Sequence, residues 1–300
     1  MSSIRVAVLR GGPSPEYDVS LKTGANILSL LRKWEGRYEP VDIFISKDGE
    51  WHRDGIVREP YEALGDADVV WNAMHGHYGE DGQVQKQLEN LKIPYTGSGM
   101  HASARAYDKE VAKLAYQNAG LLMPRHELFT PETLTEEKLV YVVRNYIHPV
   151  IVKPASAGSS VGVRLAHGII ELKEAIKNAF SHSRKVLVEE FVQGREATCG
   201  VVEGLRGEKT YALIPYGNTT QEENAKIIEI SKRAHEALGL RHYSSSDFII
   251  TPRGKIYILE TDSQPVLHED SRLYDSLLST GIKPHDFVDH CISLVLSRNG

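Results

Sequence analysis

The chain has 300 residues, 41% hydrophobic and 25% charged, with a formal net charge of −5 at pH 7; it can bury a substantial core over two or three compact units. Its lysines and arginines are scattered and form no basic stripe for a nucleic-acid backbone, and no run approaches the roughly 18 consecutive apolar residues of a membrane span. Cys199 and Cys291 lie in apolar stretches without C-x-x-C spacing, which argues against a zinc site or a disulfide framework and favours a reducing cytoplasm.

In chain order, the opening "MSSIRVAVLRGG" is too short in its apolar run for a signal peptide. An apolar run at 4–9 ends at Gly11-Gly12, and 19–31 carries apolar residues at helical spacing, so the chain begins strand, glycine turn, helix. Strands at 41–46 and 68–74 and a helix at 83–90 continue the alternation, which favours a parallel sheet closing near Gly99. A helix at 104–119 and another in "LTEEKLVYVVRNY" precede the segment "VIVKPASAGSSVGV", and a helix at 170–180 follows it. Beyond come strands in "KVLVEEFV", "ATCGVVEG" and "TYALIPYG", a helix at 221–238, and the pair "SDFIIT" and "KIYILE" around the turn Pro252-Arg253-Gly254. Two helical segments end the chain. The expected fold is α/β: an N-terminal parallel α/β unit at 1–100, a central α+β subdomain at 101–184 and a C-terminal one at 185–300.

"VIVKPASAGSSVGV" places a lysine at the end of a β-branched run, before a loop of small residues. The ammonium and the loop amides could grip one anion, although the G-x-x-x-x-G-K-[ST] spacing is absent. A plain hairpin reads equally well. Further along, Asp247 begins one strand while Glu260 and Asp262 end the next, two residues apart and so on one sheet face. Converging carboxylates are costly unless a cation neutralises them, and a hard divalent ion prefers such oxygens together with phosphates; a solvated edge is the alternative. "GGPSPEYDVS" and "HGHYGEDG" follow strands directly, which puts Glu16, His75, Glu80 and Asp81 where ligands bind in open α/β sheets. His75 and His77 lack the closed ligand set of a structural zinc. A nicotinamide-dependent oxidoreductase would account for the opening strand and helix but not for the acidic hairpin, and the G-x-G-x-x-G fingerprint is missing.

Taken together, "GGPSPEYDVS", "HGHYGEDG", "PYTGSG", the Asp108-Lys109 pair, "VIVKPASAGSSVGV", "VLVEEFVQGRE" and "ILETDSQP" stand in an order that resembles the D-alanine–D-alanine ligases of the ATP-grasp superfamily, over most of the chain. The resemblance implies that Lys109 and Lys153 contact ATP phosphates. Glu189, Glu190, Phe191 and Val192 would line the adenine, and Glu196 would hold the ribose. Asp247, Glu260 and Asp262 would bind Mg²⁺, with Mn²⁺ as the alternative. Glu16 and Ser159 would position the first D-alanine with His75 close by, and Ser271 would lie near the carboxylate of the second. The implied reaction forms a dipeptide through an acyl phosphate, and family members commonly pair as homodimers.

Two departures from the pattern bear on that expectation. The family's longer segment after "YALIPYG", with a lysine and a tyrosine that cover the site, is reduced here to "NTTQEEN", which would admit water to an acyl phosphate. The family's oxyanion arginine is replaced by Ser245, a loss worth roughly a hundredfold to a thousandfold in rate for such a donor. Val266 also stands where the family has glycine. Arg272, grouped with the substrate-binding residues, and Arg241 are candidates to compensate. A nucleotide-binding homologue with altered substrate or no ligase turnover is therefore the alternative. His235, Tyr107, Tyr116, Tyr141 and Tyr146 read as packing residues.

Overall fold

The computed structural model describes residues 3–158 and 161–298. Its first sheet contains β1 (Ile4–Gly11), β2 (Tyr38–Ile45), β3 (Trp51–Arg53), β4 (Ile56–Arg58) and β5 (Val69–Asn72), in the order β4-β3-β2-β1-β5. β1 runs parallel to β2 and β5, whereas β3 and β4 turn back antiparallel. The sheet is mixed rather than purely parallel because β3 and β4, which the apolar pattern does not reveal, are only three residues each. β1 is apolar on both faces because both are covered. One side receives α1 (Tyr17–Arg32) and the C-terminal α10 (Pro284–Arg298), whose Phe287, Val288 and Ile292 share a core with Val6, Val8, Ile27 and Leu31. Gly24 lets α1 approach the sheet, since a Cβ there would meet Arg10 Cβ at 2.4 Å. The opposite side holds a core that includes Ala63 and Leu64 of α2 (Pro60–Leu64) and Val84 and Leu88 of α3 (Gln83–Asn90).

The second sheet is antiparallel, in the order β6-β9-β7-β8: β6 (His126–Phe129), β7 (Val150–Pro154), β8 (Arg164–Ala166) and β9 (Val186–Glu190). Val150, Val152, Val186 and Val188 point to one face, where α6 (Glu136–Asn145) and α7 (Ile169–Phe180) bury them. The period of two therefore sends Ile151, Lys153, Leu187 and Glu189 to the other face. β9 extends this sheet past residue 184, where the sequence division ended the central subdomain, because its strand neighbours are β6 and β7.

The third sheet joins β10 (Arg195–Glu203), β11 (Thr210–Ala212), β12 (Tyr216–Gly217), β13 (Tyr243–Ile250) and β14 (Ile256–Asp262) in the order β11-β10-β13-β14, with β12 also on β10. Ala197, Cys199, Phe248, Ile250, Ile256 and Ile258 pack beneath α8 (Gln221–Leu238) and beside α4 (Met100–Tyr107) and α5 (Lys109–Asn118). "TYALIPYG" is thus two short strands, not one. The single helix expected at 104–119 is broken at Asp108, which has an extended backbone and caps α5 by accepting from the Glu110 and Val111 N–H groups. A short helix, α9 (Arg272–Ser279), precedes α10. Trp71 of β5 stacks on Tyr243 of β13 with ring centroids 5.7 Å apart, and Phe287 meets both rings edge-on, which joins the first sheet to the third. Among the described residues no helix is long and apolar enough to cross a membrane.

Candidate active site

The polar face of the second sheet and the outer face of the third enclose a cavity of about 310 Å³. Ile151, Val161, Ile249 and Leu259 give it apolar walls, Glu190, Phe191 and Val192 line its edge, and Lys109 and Lys153 close one end. β7 and β8 pair antiparallel as a hairpin, and Lys153 of β7 with Ala157 and Gly158 of the loop after it line the cavity. Ser159, expected to position a substrate, lies outside the described residues.

Lys153 Nζ stands 2.9 Å from Glu189 Oε2, and Lys113 Nζ stands 3.1 Å from Glu189 Oε1. Burial pushes the Glu189 carboxyl up, but the two ammonium groups outweigh it and hold the group below its ordinary value. Burial lowers Lys113 despite Glu189. Glu189 therefore lines the cavity as the counter-charge of two lysines, its side chain 2% exposed. Lys113 was not among the sequence candidates. Its signal was its place one helical turn after Lys109, which puts both on one face of α5.

Lys109 opens α5 and donates to Ala157 O at 2.8 Å, with Glu260 Oε2 at 3.1 Å. Burial alone would lower its pKa; Glu260, Asp262 and Glu189 raise it overall. Glu260 reaches this position through an irregularity in β14. Phe248 pairs with Ile258 but Asp247 pairs with Glu260, so Leu259 is an extra residue on that strand. Regular alternation would have turned Glu260 to the core face of Ile256 and Ile258. The bulge turns Glu260 and Asp262 to the cavity face, and Thr261 between them bonds Tyr116 Oη at 2.8 Å on the core side.

Asp247, which the sequence places at the start of a strand, is in the middle of β13. Burial pushes its carboxyl up to about 6, against a 2.5 Å hydrogen bond from Thr198 Oγ1. Asp262 is raised well above the ordinary range by burial and by Glu260, Glu80 and Asp247. The donor set, all carboxylate oxygen, is of the type a hard divalent ion takes. The three expected ligands share one face, yet among the described residues no three acidic, histidine or cysteine side chains are arranged to hold a metal. Glu260 leans to Lys109 instead.

A second cavity, of about 260 Å³, adjoins the first and shares Lys109, Ala157, Gly158 and Glu260 with it. Glu16, His75, Glu80, Asp262 and Val266 line it. His75 is locked: its Nε2 lies 2.9 Å from Thr23 Oγ1 of α1, its Nδ1 3.1 Å from Glu80 Oε1, and its backbone N–H donates to Ser20 Oγ. Burial lowers the imidazole to about 4, and burial together with Glu16 raises Glu80. Tyr107 also lines this cavity, against its reading as a packing residue, because the end of α4 at Asp108 exposes it there. Asp81 instead bonds the backbone and side chain of Gln83 at the start of α3.

The remaining candidates separate. Glu196 lines the first cavity and pairs with Arg272 at 2.9 Å. Ser245, opposite Asp262, is buried and lines neither cavity. Ser271 caps α9, where its hydroxyl accepts from the Tyr274 and His268 N–H groups and donates to His268 O, so it too is outside both cavities. Arg241 lies over the Tyr95 ring and donates to Gly97 O, away from the site. His235, with Nδ1 2.8 Å from Ser244 Oγ, is a buried packing residue. The short connection after β12 contributes no lining residue; it caps α8 through Thr220 and is held by Arg195 on Asn218 O and Glu223.

Comparison with known proteins gives matches along the chain. The family described as "D-ala D-ala ligase C-terminus" matches residues 115–215 and 206–293, and "D-ala D-ala ligase N-terminus" matches 57–98. A D-alanine–D-alanine ligase of Geotalea uraniireducens (strain Rf4) is 34% identical over 96% of this chain and 94% of its own length. One from Granulibacter bethesdensis (strain ATCC BAA-1260 / CGDNIH1) is 35% identical, over 97% of this chain and 96% of its own. The solved D-alanine–D-alanine ligase of Coxiella burnetii superposes with a TM-score of 0.90 at 23% identity, covering 99% of this chain and 96% of that one. The shared architecture is the ATP-grasp fold.

Proposed function

The chain belongs to the D-alanine–D-alanine ligase family, and from that premise we propose that it is an ATP-dependent ligase that joins two D-alanine molecules through an acyl phosphate. The observation that carries this reading is the meeting of the two cavities at Lys109, Gly158 and Glu260. A nucleotide in the first cavity would direct its phosphates toward a carboxylate held in the second. The alternative of a homologue without turnover is not favoured, since relatives a third identical over nearly the whole chain are named as ligases.

In this reading the apolar slot beside Phe191 and Val192 takes the adenine, and Lys109 and Lys153 hold the phosphates. Asp247, Glu260 and Asp262 would hold the divalent ion, which we assign as magnesium with manganese as the alternative; it would neutralise charge on the triphosphate. Glu16 offers a carboxylate to the ammonium of the first D-alanine, and His75, fixed by Thr23 and Glu80, shapes the wall beside it. The carboxylate of that amino acid attacks the γ-phosphorus and ADP leaves. The amine of the second D-alanine then attacks the acyl carbon, inorganic phosphate leaves, and the amine proton passes to solvent or to phosphate. The chain's contribution is positioning and charge neutralisation, which phosphoryl transfer requires more than covalent help.

The test is phosphate release from Mg-ATP on addition of D-alanine, with the dipeptide identified among the products. Release that D-alanine does not stimulate would refute the reading.

A further inference from the structure

Arg272, the first residue of α9, reaches across the outer face of the third sheet. Its Nη2 lies 2.9 Å from Glu196 Oε2, and its Nη1 lies 3.2 Å from Thr198 Oγ1 and 3.5 Å from Asp247 Oδ2. Glu196 lines the first cavity and Asp247 the second, and Thr198 pairs with Asp247 between β10 and β13. The guanidinium lines neither cavity itself but bridges a residue of the first, Glu196, and a residue of the second, Asp247. Its anchor is firm, since Ser271 caps the helix immediately before it.

Its partners are not firm. The Arg272 side chain is 47% exposed and that of Glu196 67%, so this ion pair contributes little to stability and exchanges readily. The lysines differ. Lys109, Lys113 and Lys153 are buried against Glu260 or Glu189. A triphosphate entering the joined cavities adds several negative charges to a face already carrying Glu196, Asp247, Glu260 and Asp262. Of these four cations Arg272 is the exposed one, and it can leave the exposed Glu196 at little cost.

We propose that Arg272 is a further phosphate-binding residue: its guanidinium, which lies against Glu196 and Asp247, turns onto the triphosphate when nucleotide binds, leaving Asp247 to the metal ion. The planar fork matches two phosphate oxygens at once. Glu196 is released by the same movement and can accept from a ribose hydroxyl. This inference rests on the ligase reading.

The experiment compares the full chain with Arg272→Ala and Arg272→Lys, measuring Mg-ATP binding by calorimetry and D-alanine-dependent phosphate release, each with and without guanidinium at non-denaturing concentration. Loss of a charge-assisted contact should weaken Mg-ATP binding, or lower kcat/KM for ATP, by roughly ten- to a hundredfold in the alanine variant. The KM for D-alanine should stay within about twofold. Added guanidinium should restore part of the lost activity in that variant and none in the original chain, and lysine should retain more than alanine. Unchanged ATP binding and turnover in Arg272→Ala would overturn the proposal. So would lost activity without guanidinium rescue, which would leave Arg272 as a tie between α9 and β10. Should the alanine variant fail to fold, Arg272→Gln, which keeps length and polarity without charge, is read by the same criteria. A parent chain that binds no Mg-ATP sinks the ligase reading and this proposal together; a parent that binds and turns over beside an unaffected variant sinks this proposal alone.

Discussion

Asp247 of β13 stands directly opposite Glu260 of β14, and the pair after it, Phe248 and Ile258, skips Leu259. That one extra residue turns two carboxylates out of the hydrophobic core and onto the cavity. It creates an acidic face that Lys109 and Arg272 neutralise only in part, which makes the site a place where stability and function oppose each other.

Asp247→Asn should stabilise the metal-free protein while impairing Mg-ATP-dependent turnover. The folded-state pKa of about 6 lies above the usual 3.8, so the Asp247 proton stabilises the fold fully below about pH 4. That contribution is lost as pH rises through about 6. Asparagine keeps the acceptor for Thr198 without the charge, and the gain should grow across this window. With 29% of the side chain still exposed, screening reduces the roughly 3 kcal/mol that such a rise implies to about 1–2 kcal/mol. Urea denaturation of both proteins at pH 4 and pH 7.5 measures it; a difference independent of pH would refute the assignment.

Glu189→Gln should be more damaging than Lys113→Met. The first leaves Lys113 and Lys153, both buried, without their shared counter-charge, a loss of roughly 3–5 kcal/mol. The second leaves a neutral Lys153–Glu189 pair and should cost less than half as much by the same reasoning, while weakening ATP binding because Glu189 then fully neutralises Lys153. Equal destabilisation by the two variants, measured by chemical denaturation, would show that the lysines do not share the carboxylate.

Lys153→Ala should lower Mg-ATP affinity by roughly tenfold or more, the range of a charge-assisted hydrogen bond to phosphate. Calorimetric titration of the variant with Mg-ATP decides it. An unchanged dissociation constant would remove Lys153 from the phosphate site.

Gly158→Ala should affect the amino acid more than the nucleotide. A Cβ there would lie 2.3 Å from Glu16 Oε2, so the Glu16 carboxylate must shift, and displacement by about 1 Å can cost up to roughly a hundredfold. Steady-state kinetics should show KM for D-alanine rising while KM for ATP changes little. The reverse pattern would mean that Gly158 serves the phosphates instead.

Most element types and their order were legible in the sequence, because these depend on short-range physics. The alternation in "VIVKP" and the helical spacing of 221–238 are local patterns, and the latter helix begins and ends as its residues indicate. Strand ends and spacing pointed to Lys153, Glu16 and the acidic hairpin, and the resemblance added Lys109. Short pieces escaped it: β3, β4, β6 and β8 are three or four residues each, too short for a period to register.

Other features were decided only by the tertiary structure. Whether Glu260 faced the core or the cavity depended on a bulge that no alternation rule contains, since strict spacing from Ile256 and Ile258 points it inward. Lys113 and Glu189 stand 76 positions apart, and only the packing of α5 against the second sheet makes one the counter-charge of the other. Likewise Ser271 and Arg272 are neighbours in the chain, but the cap of α9 turns one hydroxyl to the backbone and sends the next side chain across the site. Local sequence fixes backbone preference and side-chain alternation; which charges meet depends on distances between segments remote in the chain, and those are set when the sheets and helices bury their apolar faces together.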